Sequence, residues 1–203
     1  MAKVVPPLEP RKAPLQQRAA VTVDAIIEAA ARILEEADMD KFTTNAVADR
    51  AGVSIGSLYQ YFPGKSAIIA GLIRRERDVL QVRVSNAVEK GARLPLHEAV
   101  TNLVEAAVAH QLDRPQLARV LDFLEPGLPL SGETAAANSD LVGAVATLLA
   151  RHGHPRSRDT AQDVVAIAKG MIDSAGIQGE TNHRRLRLRV VRAVVGYLGD
   201  GKK

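Results

Sequence analysis

Residues 53–65 read VSIGSLYQYFPGK. The chain has three Tyr, three Phe and no Trp, yet Tyr59, Tyr61 and Phe62 fall within four positions here. Their neighbours Ser54, Gly56, Ser57 and Gln60 are small or polar. Hydroxyls, an amide and uncovered backbone are the groups that bond to base edges and phosphate oxygens. Ser57 and Gln60 suit base edges, and a Gln amide matches adenine in particular. Ile55 suits the methyl group of thymine. Tyrosine hydroxyls are common phosphate donors, which fix register without reading sequence. Thr44 offers a hydroxyl and a free backbone N–H at a helix start, and Lys65 offers a cation for another phosphate. The bland alternative is that Tyr59 or Tyr61 packs at the edge of a small domain.

The elements that would hold these residues follow from the flanking sequence. VTVDAIIEAAARILEEAD carries apolar residues at 23, 26, 27, 30, 33, 34 and 37, one face of a helix. In TTNAVADRAG, Thr43 is the expected N-cap, Val47, Ala48 and Ala51 the inner face, and Gly52 the terminator. A tight AGVS turn follows, with Val53 as a plug and Ser54 as N-cap of a helix over 55–61. Two short helices joined by a Gly-containing turn form a helix-turn-helix unit. Leu58 and Phe62, four apart, share the inward side of the last helix. The N-terminal part of such a helix reads bases in the major groove. Between Lys41 and Lys65 the net charge is only +2, so phosphate affinity must lean on hydroxyls and backbone N–H groups.

Other segments read as helices too. Pro63-Gly64 breaks the chain before a long run to about Lys90, with Ile68, Ile69, Leu72, Ile73, Val79, Val82 and Val88 as its apolar side. Further helices are expected near 96–112, 115–125, 133–152, 157–177 and 182–199, separated by Pro and Gly. No segment has the alternation of a strand. The fold class is therefore all-α, with about nine helices. The expected division is a basic arm over 1–19, a helix-turn-helix domain over 20–66 and a larger helical domain over 67–203. Pro6, Pro7, Pro10 and Pro14 forbid a helix in the arm, and Lys3, Arg11, Lys12 and Arg18 make it basic. It is either a solubilising end or a contact to phosphates or a minor groove.

FTTNAVADRAGVSIGSLYQYFPGKSAIIAGL resembles the DNA-binding domain of the TetR family of bacterial transcriptional regulators. The ordered set carries the resemblance: TT before the second helix, AGVS in the turn, GSLYQYF as reading helix and Lys65 opening the next. It covers roughly residues 20–75. The resemblance implies a homodimeric repressor released from DNA by a small ligand. It implies phosphate contacts by Thr44, Tyr59 and Lys65, and base contacts by Ile55, Ser57, Gln60 and Tyr61. Ala46 departs from the pattern, since many members carry an acid there that completes a capping box with Thr43.

The second half has no motif. In the architecture the resemblance implies, its last two helices, about 157–177 and 182–199, pair with their copies. Apolar or small residues at 161, 164, 165, 168, 171, 172 and 175, and at 186, 190, 191, 194, 195, 197 and 198, are candidates for that seam or for ordinary core. The middle helices would enclose an effector, with Asn102, His110 and Phe123 as candidate lining. His97, Gln111, Asp122 and Asn138 are further polar residues there. The loop-like 125–140 stretch is a candidate gate. His152 and His154 lack the Cys or carboxylate company of a metal site and are expected in a solvated loop. No catalytic set, phosphate-cradling loop, metal site or cofactor is expected.

Composition sets the outer bounds. The chain has 203 residues, a net charge of +4 and no cysteine. It is 46% hydrophobic and 25% charged, as an ordinary globular protein is. No stretch approaches a membrane span, and the N-terminus lacks an apolar signal core, so a cytoplasmic protein is expected. The partners expected are a palindromic double-stranded operator, a small effector and a second copy of the chain. The competing reading is a helical protein-interaction module whose aromatic stretch docks a protein.

Overall fold

The computed structural model describes residues 17–36, 39–154 and 157–200. The described residues form nine α-helices and no strand. They are α1 Gln17–Glu35, α2 Thr44–Ala51, α3 Ile55–Tyr61, α4 Lys65–Gly91, α5 Leu96–Asp113, α6 Pro115–Leu124, α7 Ser131–Arg151, α8 Ser157–Ile177 and α9 His183–Asp200. A short 3-10 turn, Glu125–Gly127, follows α6. The expected arm lies outside the described residues as far as residue 16. Residues 17–19 belong to α1 instead, because no breaker follows Pro14 and Gln, Arg and Ala are good helix formers.

The described residues divide into two compact units, with the chain passing between them after Glu76, after Ala118 and after Leu130. The expected boundary at 66 therefore moves into α4. Nothing breaks that helix after Pro63-Gly64, and its first half belongs to the first unit. Ala67, Ile68, Ala70, Leu72 and Ile73 are buried there with Ile26, Ile27, Ala30 and Leu34 of α1. Gly71 permits this close approach: a Cβ on it would lie 2.9 Å from Ile27 Cδ1 and 3.1 Å from Phe62 Cε1. Arg75 of α4 adds an ion pair to Glu28 of α1 at 3.1 Å.

The second half of α4 follows a different stripe from the one the sequence suggested. Val79 and Val82 are exposed, whereas Val84, Ala87 and Val88 are buried and Leu80 packs against them. Positions 80, 84, 87 and 88 share one side of a helix, and 79 and 82 fall off it. In the second unit α5 packs on α8 and α9, and α7 on α8. Ala161, Val164, Ile172 and Ala175 of α8 are core, as are Leu186, Val190, Val191, Val194 and Leu198 of α9. These positions, offered as seam or core, are core.

His152 does not sit in a loosely solvated loop. Its Nδ1 is 2.9 Å from the Leu148 carbonyl oxygen and its Nε2 is 2.9 Å from that of Leu94. The ring thus ties the end of α7 to the connector before α5. Among the described residues no group of three or more His, Cys, Asp or Glu side chains is placed to hold a metal. Nor is any helix among them long and apolar enough to cross a membrane.

Candidate nucleic-acid interface

Each short helix of the first unit starts on the cap its sequence provides. Thr43 Oγ1 accepts from the Ala46 N–H at 3.0 Å, so α2 starts without the acidic partner that Ala46 replaces. Gly52 ends α2 at φ +68°, a left-handed conformation that costs a residue with a Cβ about 1–2 kcal/mol. Its N–H and that of Val53 return to carbonyls of α2. Ser54 Oγ then accepts from the Ser57 N–H at 3.1 Å and opens α3. This turn sets the angle between the two helices.

The sides of α3 separate as the sequence requires. Leu58 is 0% exposed, and Phe62, just past the helix end, is buried too, together with Phe42, Val47 and Ala48. Val53 is half-buried in the turn. Burying a side chain as large as Leu or Phe stabilises by roughly 1.5–3 kcal/mol, enough to hold so short a helix in place. Outward lie Ile55, 39% exposed, and Tyr59, 42% exposed. Gly56 and Gln60 are exposed, and Ser57 and Tyr61 are half-buried.

Thr44 and Tyr59 meet. Thr44 Oγ1 is 3.1 Å from the Tyr59 hydroxyl, joining the first residue of α2 to the middle of α3. Ser57 Oγ is bonded to Ser54 Oγ at 2.8 Å, so its hydroxyl is held as well. Lys65 is exposed at the first position of α4. Asn45 adds an exposed amide next to Thr44 that the sequence reading did not single out. Its signal was its place in the TTN run. Arg50 is engaged elsewhere: its Nη1 donates to Glu36 Oε1 at 2.6 Å. The surface is thus built from hydroxyls and amides with little free charge, a composition suited to phosphate oxygens and base edges and without an organised acid–base pair.

Phe123 is 82% exposed and belongs to the first unit, whereas Asn102 and His110 belong to the second. A ring that exposed lines no enclosed cavity. It is the next-to-last residue of α6. Asn102 is exposed and His110 half-buried, while the adjacent Gln111 is buried. A Cβ on Gly176 of α8 would lie 2.6 Å from Gln111 Nε2, so that glycine makes room for the amide.

Comparisons with known proteins agree with this architecture. Residues 26–72 match the bacterial regulatory proteins of the tetR family. Residues 95–198 match the Tetracyclin repressor-like C-terminal domain. An HTH-type transcriptional regulator of Mycobacterium tuberculosis is 28% identical over 135 residues, 64% of this chain and 62% of that one. The chain thus spans less than two thirds of that relative. The HTH-type transcriptional repressor KstR of Rhodococcus jostii is 25% identical over 184 residues, 88% of this chain and 83% of its own. A solved TetR-family transcriptional regulator from Streptomyces coelicolor has the same fold, with a TM-score of 0.71 at 22% identity, covering 92% of this chain and 100% of that one.

Proposed function

The chain belongs to the TetR family of bacterial regulatory proteins, and from that premise we propose that it is a homodimeric repressor whose α3 enters the major groove of a palindromic operator. The family is one of DNA-binding regulators and not of enzymes. The observation that carries the reading is the Thr44–Tyr59 hydroxyl pair beside the outward side of α3. Two hydroxyls, the start of α2 and Lys65 are donors fit for the phosphate backbone. Ile55, Ser57, Gln60 and Tyr61 then meet base edges. The similarity to a transcriptional repressor supports repression as the outcome.

The partner is a second copy, paired through sides of α8 and α9 that the core leaves open. On α8 these are Ala166, Gly170, Ser174 and Ile177, and on α9 Leu188, Arg192, Gly196 and Gly199, all exposed. A Cβ on Gly170 or Gly196 would meet nothing within 4 Å in its own chain. Small residues at such spacing admit close helix approach. Each protomer then presents its α3 at one helical turn, about 34 Å, from the other. A small effector held by the second unit, where α5 carries His110 and Gln111, favours another spacing and shifts the population off DNA.

Hydroxyl-radical footprinting of the full chain on the DNA upstream of its own gene tests this. Two symmetric protected patches about one helical turn apart are expected. A single unsymmetrical patch contradicts the dimeric reading, and no protection contradicts the DNA-binding one. The interaction-module reading predicts no protection.

A further inference from the structure

The reading surface lacks something as specific as what it contains. From Ala51 to Gly64 the sequence is AGVSIGSLYQYFPG, without one charged side chain. The commonest specific contact in the major groove is an Arg or Lys on the O6 and N7 acceptors of guanine. Cytosine is matched instead by a carboxylate accepting from its N4 amino group. Helix α3 has neither. The nearest arginine, Arg50, is held by Glu36 at 2.6 Å, and Lys65 lies beyond the end of α3 on α4.

What the helix does present matches the other base pair. Ile55, at the first position of α3, keeps 39% of its surface exposed. An aliphatic group there has one favourable partner in the groove, the thymine C5 methyl. Gln60 is exposed, and among the described residues its amide makes no hydrogen bond to the protein. That amide can donate to adenine N7 and accept from adenine N6 at once. Gly56, four residues before Gln60 and on the same side, is exposed. A Cβ there would meet only Ser54 Oγ, at 3.9 Å, so bare backbone flanks the amide and shortens its reach to the groove floor. The hydroxyls of Ser57 and Tyr61 bond to acceptors present on both purines and select neither.

We infer that the base pairs lying under α3 are A·T pairs, read by Ile55 through the thymine methyl and by Gln60 through the N6–N7 edge of adenine. The inference rests on the DNA-binding reading above and names the class of sequence that surface takes. It predicts that guanine is disfavoured at those positions because no side chain of α3 pairs with its O6 and N7 acceptors together.

The test is selection of bound duplexes from a random library by the full chain, followed by anisotropy titrations on the enriched site. A·T pairs are expected under α3. Replacing the thymine facing Ile55 by deoxyuridine, which lacks the methyl, should weaken wild-type binding several-fold and leave Ile55→Ala binding unchanged. Replacing the adenine facing Gln60 by 7-deazaadenine should weaken wild-type binding roughly 5- to 100-fold and Gln60→Ala binding far less. G·C pairs under α3, or a wild type indifferent to both analogues, overturn the inference while leaving sequence-specific binding intact. No enriched sequence at all overturns the DNA-binding reading, and the inference with it.

Discussion

The hydroxyls of Thr44 and Tyr59 lie 3.1 Å apart although fifteen residues separate them in the chain. One comes from the start of α2 and the other from the middle of α3, so the pair fixes the two helices against each other at the proposed groove-facing surface. Only one of the two protons is used between them, which leaves the other to donate outward. Thr44→Val and Tyr59→Phe should each weaken DNA binding by about tenfold, in line with one hydrogen bond to a charged group. The double variant should lose less than the product of the two, because each single change already disturbs the other hydroxyl. Anisotropy titrations of the four proteins measure the coupling, and strict additivity would show that the pair does not act as a unit.

Leu58 is the inward anchor of α3 and is fully buried. Leu58→Ala should destabilise the folded chain by about 2–5 kcal/mol through lost burial and the cavity left behind. Chemical denaturation followed by circular dichroism gives the value. A loss under about 1 kcal/mol, the size of an exposed substitution, would mean that α3 is held by something else.

Gly52 sets the turn at φ +68°. Gly52→Ala meets no steric neighbour, so its cost is backbone strain alone, about 1–2 kcal/mol. Thermal unfolding should show a lower midpoint, and DNA binding measured well below it should change little. An unchanged midpoint would place the turn in a different conformation.

The proposed dimer seam makes an independent prediction. Gly170→Gln and Gly196→Gln each add a long polar side chain where the own chain leaves open space. Gln is a better helix former than Gly, by up to about 1 kcal/mol, so the folded monomer should not suffer. Sedimentation velocity should show the dimer giving way to monomer with helical content retained. Persistence of a full dimer in both variants would move the interface elsewhere.

Glu180 supplies the clearest pH dependence. Its Oε1 accepts from the N–H groups of Asn182 at 3.0 Å and Thr181 at 3.1 Å, just before α9. Its carboxyl is held below the ordinary value of 4.5, chiefly by the Asn182 N–H, with Arg185, the Thr181 N–H and Arg189 acting the same way against desolvation. A lowered folded value means that this stabilisation is present above pH 4.5 and is lost as pH falls below it. Glu180→Gln should flatten that part of the stability–pH curve, and an identical curve for the variant would rule the group out.

Local chemistry was legible in the sequence wherever a residue acts on its near neighbours. Thr43 and Ser54 are caps, Gly52 is a terminator, and Leu58 with Phe62 form an inward side, all decided within a few positions. What could not be read depends on which side of a helix finds a partner. Val79 and Val82 are as apolar as Val84 and Val88, and only the packing of α4 separates exposed from buried. Leu186, Val190 and Val194 fit a dimer seam and a core equally well by spacing, and the fold assigns them to the core. Phe123 suggested a pocket because it is aromatic, yet it stands exposed. The pairing of Arg50 with Glu36, which takes a cation away from the reading surface, depends on how α2 meets the end of α1. The caps and the inward side of α3 were legible because they follow from short-range order, whereas the lining of a cavity is a long-range property.

The most direct measurement of the central claim is an anisotropy titration of the full chain on a duplex from its own upstream region, repeated from about 50 to 200 mM salt. The account predicts specific binding that weakens as a power of salt concentration, with Lys65→Ala lowering the log–log slope by about one. Binding that ignores salt, or a Lys65→Ala variant with an unchanged slope and affinity, would contradict it.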